Sequence, residues 1–167
     1  MKNFLNDLPV GNVVYVDSNI FIYDATEHPK YSLSCSKFLD RIESGGITGI
    51  TSILAINETI HKLSIIELSS KMKERPVSII RLVKEDPSLL DALNNPFIVA
   101  EDIMDMNLEI VSFSDLIFEK ALRFMKQHRL MSNDAVHLAT MNKYGITNIA
   151  TNDRDFKRVE WLKVWKP

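Results

Sequence analysis

The sequence predicts a three-layer α/β/α domain built on a mainly parallel sheet of about five strands. Three observations lead there. Short β-branched runs alternate with amphipathic stretches of helical length, which is the pattern of strand–helix–strand crossovers. The runs are bounded by glycine or polar turn residues, as buried strands are. The 167 residues are 46% apolar and hold no repeat, low-complexity tract or linker, so residues 1–167 read as one domain around one core.

Val13-Val14-Tyr15-Val16 follows Gly11 and ends on Asp17-Ser18-Asn19, a buried strand running into a helix start, with Ser18 or Asn19 able to cap it. A short helix around Ile20, Phe21 and Ala25 closes before Pro29. From about Ser32 to Glu43, Leu33, Phe38, Leu39 and Ile42 share a helix face that Gly45-Gly46 terminate. Ile47-Thr48-Gly49-Ile50 is the second strand, and Thr51-Ser52 starts a helix through about Leu68 with Ile53, Ile56, Ile60 and Leu63 on one stripe. The 69–107 stretch carries Pro76, Pro87 and Pro96 among mixed charges and reads as a helical insertion of two or three short helices. Leu108 to Phe113 is the third strand, and Ser114 caps a helix from Asp115 to about His128. Ser132 caps the next helix, Asn133 to about Tyr144, which Gly145 ends. Asn148-Ile149-Ala150-Thr151 forms the fourth strand, and Val159 to Trp165 a final edge strand.

Composition excludes several classes of protein. No apolar run approaches the roughly 20 residues of a membrane span, and MKNFLNDLPVGN lacks the basic and apolar regions of a secretory signal. Cys35 is the single cysteine, a half-buried helix residue, so no internal disulfide and no cysteine-based zinc site is available. A cytoplasmic location is the expectation. The net charge of −2 means that any polyanion-binding surface must be a local patch.

The acids carry the functional signal. In an open parallel sheet, ligands bind beyond the carboxyl ends of the strands. Asp17 follows the first strand directly and Asp153 the fourth. Glu58 lies about two turns into the helix after the second strand, and Asp134 in the first turn of the helix that leads to the fourth. Two unit charges about 4 Å apart repel by roughly 4 kcal/mol at an effective dielectric of 20, so such a cluster calls for a cation. Mg²⁺ or Mn²⁺ suits oxygen ligands.

The order β-strand-Asp-Ser-Asn, Thr-Ser-x5-Glu, Ser-Asn-Asp-Ala-x-His-Leu-Ala and Ile-Ala-Thr-Asn-Asp-Arg-Asp-Phe resembles the PIN-domain nucleases, and most of all the VapC-type toxins of toxin–antitoxin pairs. The resemblance runs from about Val13 to Val164. It implies a sheet ordered 3-2-1-4-5, a homodimer, a cognate antitoxin, and Mg²⁺- or Mn²⁺-dependent endonucleolytic hydrolysis of RNA by a metal-activated water. Asp17, Glu58, Asp134 and Asp153 match the family's catalytic and metal-binding acids. Asn19, Thr151 and Asp155 match auxiliary polar positions, and Asp155 rivals Asp153 for the fourth acid. One departure is that the 69–107 stretch exceeds the corresponding connection in compact toxins.

Other side chains have plainer readings beside functional ones. His137, one turn beyond Asp134, reads as a satisfied core or interface histidine. Lys120 and Arg123 recur at helical spacing, which fits a solvated face or an RNA-backbone track, and Arg154 has the same two readings. Trp161 and Trp165 fit edge-strand or dimer packing, and Phe97 through Met106 an apolar surface for a partner. Among other functions, a haloacid-dehalogenase-type phosphotransferase needs a second Asp where Asn19 stands, and dinucleotide binding needs a glycine-rich turn that is missing. A receiver domain needs adjacent acids and a strand-end lysine in a set that is not found. The runner-up is a PIN-like module that binds RNA or protein without cutting, against which the complete acid set argues.

Overall fold

The structure, a computed structural model, describes residues 3–167. Its strands are β1 (Asn3–Phe4), β2 (Val13–Val16), β3 (Thr48–Ser52), β4 (Leu108–Val111), β5 (Asn148–Ala150) and β6 (Lys163–Lys166). The helices are α1 (Ser18–Ala25), α2 (Ser32–Glu43), α3 (Ile53–Met72), α4 (Pro76–Glu85), α5 (Asn95–Asp105), α6 (Asp115–His128) and α7 (Ser132–Lys143). All strand pairs are parallel, in the order β1-β6-β5-β2-β3-β4. Five of these strands reproduce the expected 3-2-1-4-5 order. The sixth, β1, corrects the expected count.

Alternation along β2 sets the two helical layers. Val14 and Val16 point to one face, where they pack with Ile20, Phe38, Ile42 and Ile103 of α1, α2 and α5. Tyr15 points to the other face and joins Met141 of α7, Ile149 and Phe156. A third cluster ties α6 to α7 through Ile117, Ala121, Phe124, Leu138 and Ala139. Gly49 in β3 lets α2 and β4 approach, because an added Cβ would meet Leu108 Cδ2 at 2.4 Å and Ile42 at 2.8 Å.

β1 is invisible to pattern reading because it is two residues long and half polar. Its anchor lies just beyond it, where Leu5 and Leu8 are fully buried and Arg41 of α2 donates to the carbonyls of Leu5 at 3.1 Å and of Leu8. Burying two leucines contributes about 4 kcal/mol before entropy. With β1 outside it, β6 is an interior strand rather than the expected edge. Trp165 is accordingly core, its indole N–H donating to Asn148 Oδ1 at 3.0 Å. Cys35 is fully rather than half buried.

Other local expectations need correction. Asp17, not Ser18 or Asn19, caps α1. Ser114 makes no side-chain cap, and Ser132 is the first residue of α7 with Met131 at its cap position. The 73–107 stretch folds into α4, a 3-10 turn at Pro87–Ala92, and α5. Among the described residues, no helix is long and apolar enough to cross a membrane.

Candidate active site

The parallel β2–β5 pairing places Asp17 beside Thr151, 134 residues apart in the chain. As the cap of α1, Asp17 accepts from the Ser18 N–H through Oδ1 at 2.7 Å. Its Oδ2 accepts from Thr151 Oγ1 at 2.6 Å and from the Asn19 amide. Asn19 also donates to Thr151 Oγ1 at 2.9 Å, and its Oδ1 accepts the Asn152 N–H at 3.1 Å. The two auxiliary residues therefore hold Asp17 in place. A capping role and a functional one coincide in this carboxylate, which is 6% exposed.

Glu58 is held from α7. Its Oε1 accepts from Asn133 Nδ2 at 2.7 Å, and its Oε2 lies 3.1 Å from His137 Nε2. Burial alone would raise the Glu58 carboxyl, yet the His137 and Asn133 contacts pull it down to about 2. His137 is itself buried, with Nδ1 2.7 Å from Tyr15 Oη, which lies 2.6 Å from Ser52 Oγ. Burial would lower the imidazole, but Glu58 and the neighbouring acids raise it. The sequence indicated a satisfied histidine and missed what satisfies it. The one available signal was His137 lying one turn beyond Asp134, on the same helix face.

Oxygens of Asp17 and Glu58 and a nitrogen of His137 lie within 4.8 Å of one another, which is cation-sized spacing. Both His137 nitrogens are already engaged by Glu58 and Tyr15, so the oxygens are the free ligands. Asp134 and Asp153 border this group without entering it. Asp134 is pushed up to about 6, first by burial and then by the charge of Asp153, with Asp17 and Glu58 adding to the push. The donor set, the hard oxygens of Asp17 and Glu58 with Asp134 and Asp153 beside them, fits Mg²⁺ or Mn²⁺.

Asp153 and Asp155 differ in surroundings. Asp153 Oδ1 accepts the Asp155 N–H at 2.8 Å, and its own N–H donates to Thr151 Oγ1 at 2.9 Å. Asp155 pairs with Arg158 Nη2 at 2.8 Å. The three RNA-backbone candidates separate as well. Arg154 is exposed immediately after Asp153. Lys120 is bound to Asn142 near the far end of α7, eight residues or about 12 Å along the helix from Asp134. Arg123 is exposed on α6.

The PIN domain family model matches residues 14–162. The chain belongs to the PIN domain family. Its match to Ribonuclease VapC2 of Methanocaldococcus jannaschii is 28% identical over 157 residues, 92% of this chain and 93% of that one. A shorter stretch, 38% of the chain, is 33% identical to Ribonuclease VapC6 of the same organism and spans 37% of it. Among solved PIN-like folds, Mycobacterium tuberculosis VapC20, a Sarcin-Ricin loop cleaving toxin, superposes with a TM-score of 0.62 at 15% identity, covering 91% of this chain and 98% of that one. VapBC2 of Rickettsia felis, solved on a promoter DNA fragment, gives 0.54 at 19% identity, covering 92% and 98%. The PIN domain of this chain thus has the fold of these toxins, with the acids at the carboxyl edge of its sheet.

Proposed function

We propose that this PIN domain is a divalent-metal-dependent endoribonuclease, the toxin of a toxin–antitoxin pair. One observation carries the reading: Asp17 and Glu58 oxygens at cation spacing, with Asp134 and Asp153 crowding the same edge. The similarity to Ribonuclease VapC2 across nearly the whole chain supports RNA as the substrate. In this reading Asp17, Glu58, Asp134 and Asp153 hold Mg²⁺ or Mn²⁺. The bound cation would supply Lewis acidity, lowering the pKa of a water and offsetting charge on the phosphodiester. The protein's own contribution is positional. Thr151 and Asn19 fix Asp17, and Asn133 and His137 fix Glu58. Asp153 is the fourth acid because its charge reaches Asp134, whereas Asp155 is spent on Arg158.

Arg154, exposed beside Asp153, is the RNA-backbone contact this geometry favours over Lys120 and Arg123. The antitoxin partner follows from similarity to a VapC-named ribonuclease over most of both chains. Phe118 and Leu122, one turn apart on α6, stand exposed and suit the homodimer.

Purified protein with Mn²⁺ or Mg²⁺ is expected to cut RNA internally and to stop when EDTA is added. Undiminished cutting in EDTA would remove the metal from the reading, and no cutting of any RNA would favour a binding module. Expression is expected to arrest growth unless the product of a neighbouring small gene is present. Harmless expression of active enzyme would make it a stand-alone nuclease.

A further inference from the structure

Beside the acids, on the β5 side of Asp17, lies a corner that the preceding reading does not use. Asn152 is its centre. The Asn152 N–H donates to Asn19 at 3.1 Å, its side-chain amide donates to Tyr23 Oη at 3.1 Å, and its carbonyl accepts from Lys166 Nζ at 3.3 Å. Tyr23 is thus linked to Asp17 through Asn152 and Asn19.

Around Asn152 stand three half-buried rings. Tyr31 is stacked on His28 with centroids 4.8 Å apart and planes at 23°, and Tyr23 lies 4.9 Å from each. The Lys30 ammonium sits 5.1 Å from the Tyr31 centroid. Lys166 enters from the end of β6, and Arg154 and Lys157 from the segment after Asp153. Among the described residues, none of Lys30, Arg154, Lys157 and Lys166 is ion-paired with an acid. The like charges act on one another: burial, Lys157 and Arg154 hold the Lys166 ammonium below its usual range, and Asn152 and Lys30 lower the Tyr31 phenol. Packing of an α1–α2 corner needs apolar contact, which Tyr23 and Tyr31 provide. It does not call for unpaired cations gathered beside the tyrosine hydroxyls. Aromatic faces joined to free cations are how proteins hold unpaired nucleotides.

We propose that the Tyr31–Lys166 corner is a nucleotide subsite, holding one unpaired residue of the RNA next to the scissile phosphodiester, its base on Tyr31 and its phosphate on Lys166 and Arg154. The subsite rests on the ribonuclease reading above and names the side chains that would hold the nucleotide beside the cut.

The test is fluorescence anisotropy on the full chain carrying Asp134→Asn, in Mg²⁺. The probes are a labelled short oligouridylate, the abasic ribose-phosphate oligomer of equal length, and an RNA duplex. Tyr31→Ala is expected to weaken oligouridylate binding about tenfold while leaving the abasic oligomer and the duplex unchanged. Tyr31→Trp restores binding, which distinguishes stacking from damage to the fold. Lys166→Gln is expected to weaken both single-stranded probes and to flatten the salt dependence of log Kd by about 0.7. Equal binding of oligouridylate with and without Tyr31→Ala in the Asp134→Asn background, with the chain that keeps Asp134 cutting RNA, would overturn the subsite and leave the nuclease standing. No RNA bound by the Asp134→Asn chain and none cut by the chain that keeps Asp134 overturns both.

Discussion

The acidic edge and the α4–α5 arm are built on opposite principles. At the edge, Asp17 and Glu58 between them accept six hydrogen bonds or close polar contacts from three different segments of chain. Those contacts hold like charges close together, which costs stability. The arm carries little charge strain and is seated by packing, with Ala100 and Ile103 of α5 buried in the core, and by a few polar contacts to α3. Glu67 Oε2 accepts the Asn95 N–H at 3.2 Å, its Oε1 meets Lys71 at 2.6 Å, and Lys71 reaches the Ala92 carbonyl. Below these contacts, Ile79 fills the seam against α3, where Ile65, Leu68, Ile80 and Val83 line an apolar cavity of about 230 Å³. The edge gives up stability for chemistry, and the arm has stability as its main demand. Site variants should therefore alter cleavage with little loss of melting temperature, and arm variants the reverse.

The largest effect expected is from Asp17→Asn or Asp134→Asn, each lowering RNA cleavage about a thousandfold or more, since losses from outer residues around a metal already reach a hundredfold. Undiminished cleavage by either variant in a gel assay would place the chemistry elsewhere. Next, Ile79→Ala removes a side chain that is 2% exposed and should cost about 3 kcal/mol in urea unfolding. Cleavage per folded molecule should stay near the parent's. A comparable loss of cleavage would mean that the arm takes part in the site.

Glu67→Gln removes the charged clamp on the start of α5 and should cost about 1.5 kcal/mol, with faster amide exchange confined to 86–96. Uniformly faster exchange would show that the arm does not open on its own. Smallest is a gain. The Asp134 carboxyl, pushed up to about 6, binds its proton more tightly in the fold than in the unfolded chain, so ionising it above that pH costs stability. For this half-buried group the cost is about 1 kcal/mol after solvent screening, and Asp134→Asn should recover it in EDTA at neutral pH. Added Mn²⁺ should then raise the melting temperature of the parent more than that of the variant. Equal shifts would exclude Asp134 as a ligand.

What the sequence made legible follows from range. Asp17, Asp134 and Asp153 stood out because a strand end or first helical turn is a local signal, and β2, β3, β4 and β5 because their runs are β-branched. The Glu58–His137–Tyr15–Ser52 chain was not legible, since it joins residues up to 122 apart and Tyr15 looks like any core aromatic. β1 was missed because pairing with β6, rather than its own residues, makes it a strand. Lys120 illustrates a related limit. Helical spacing identifies the exposed face of α6 but not which end lies near the acids.

The pairing of β5 against β2 also has a consequence for synthesis. A ribosome makes Asp17 and Glu58 long before Asp134 and Asp153, and Thr151 comes 134 residues after the carboxylate it steadies. A half-made chain emerging from the exit tunnel thus carries half of the acids and no partner strand on that side of β2. On the proposed function, cutting would have to wait until residue 153 has left the tunnel.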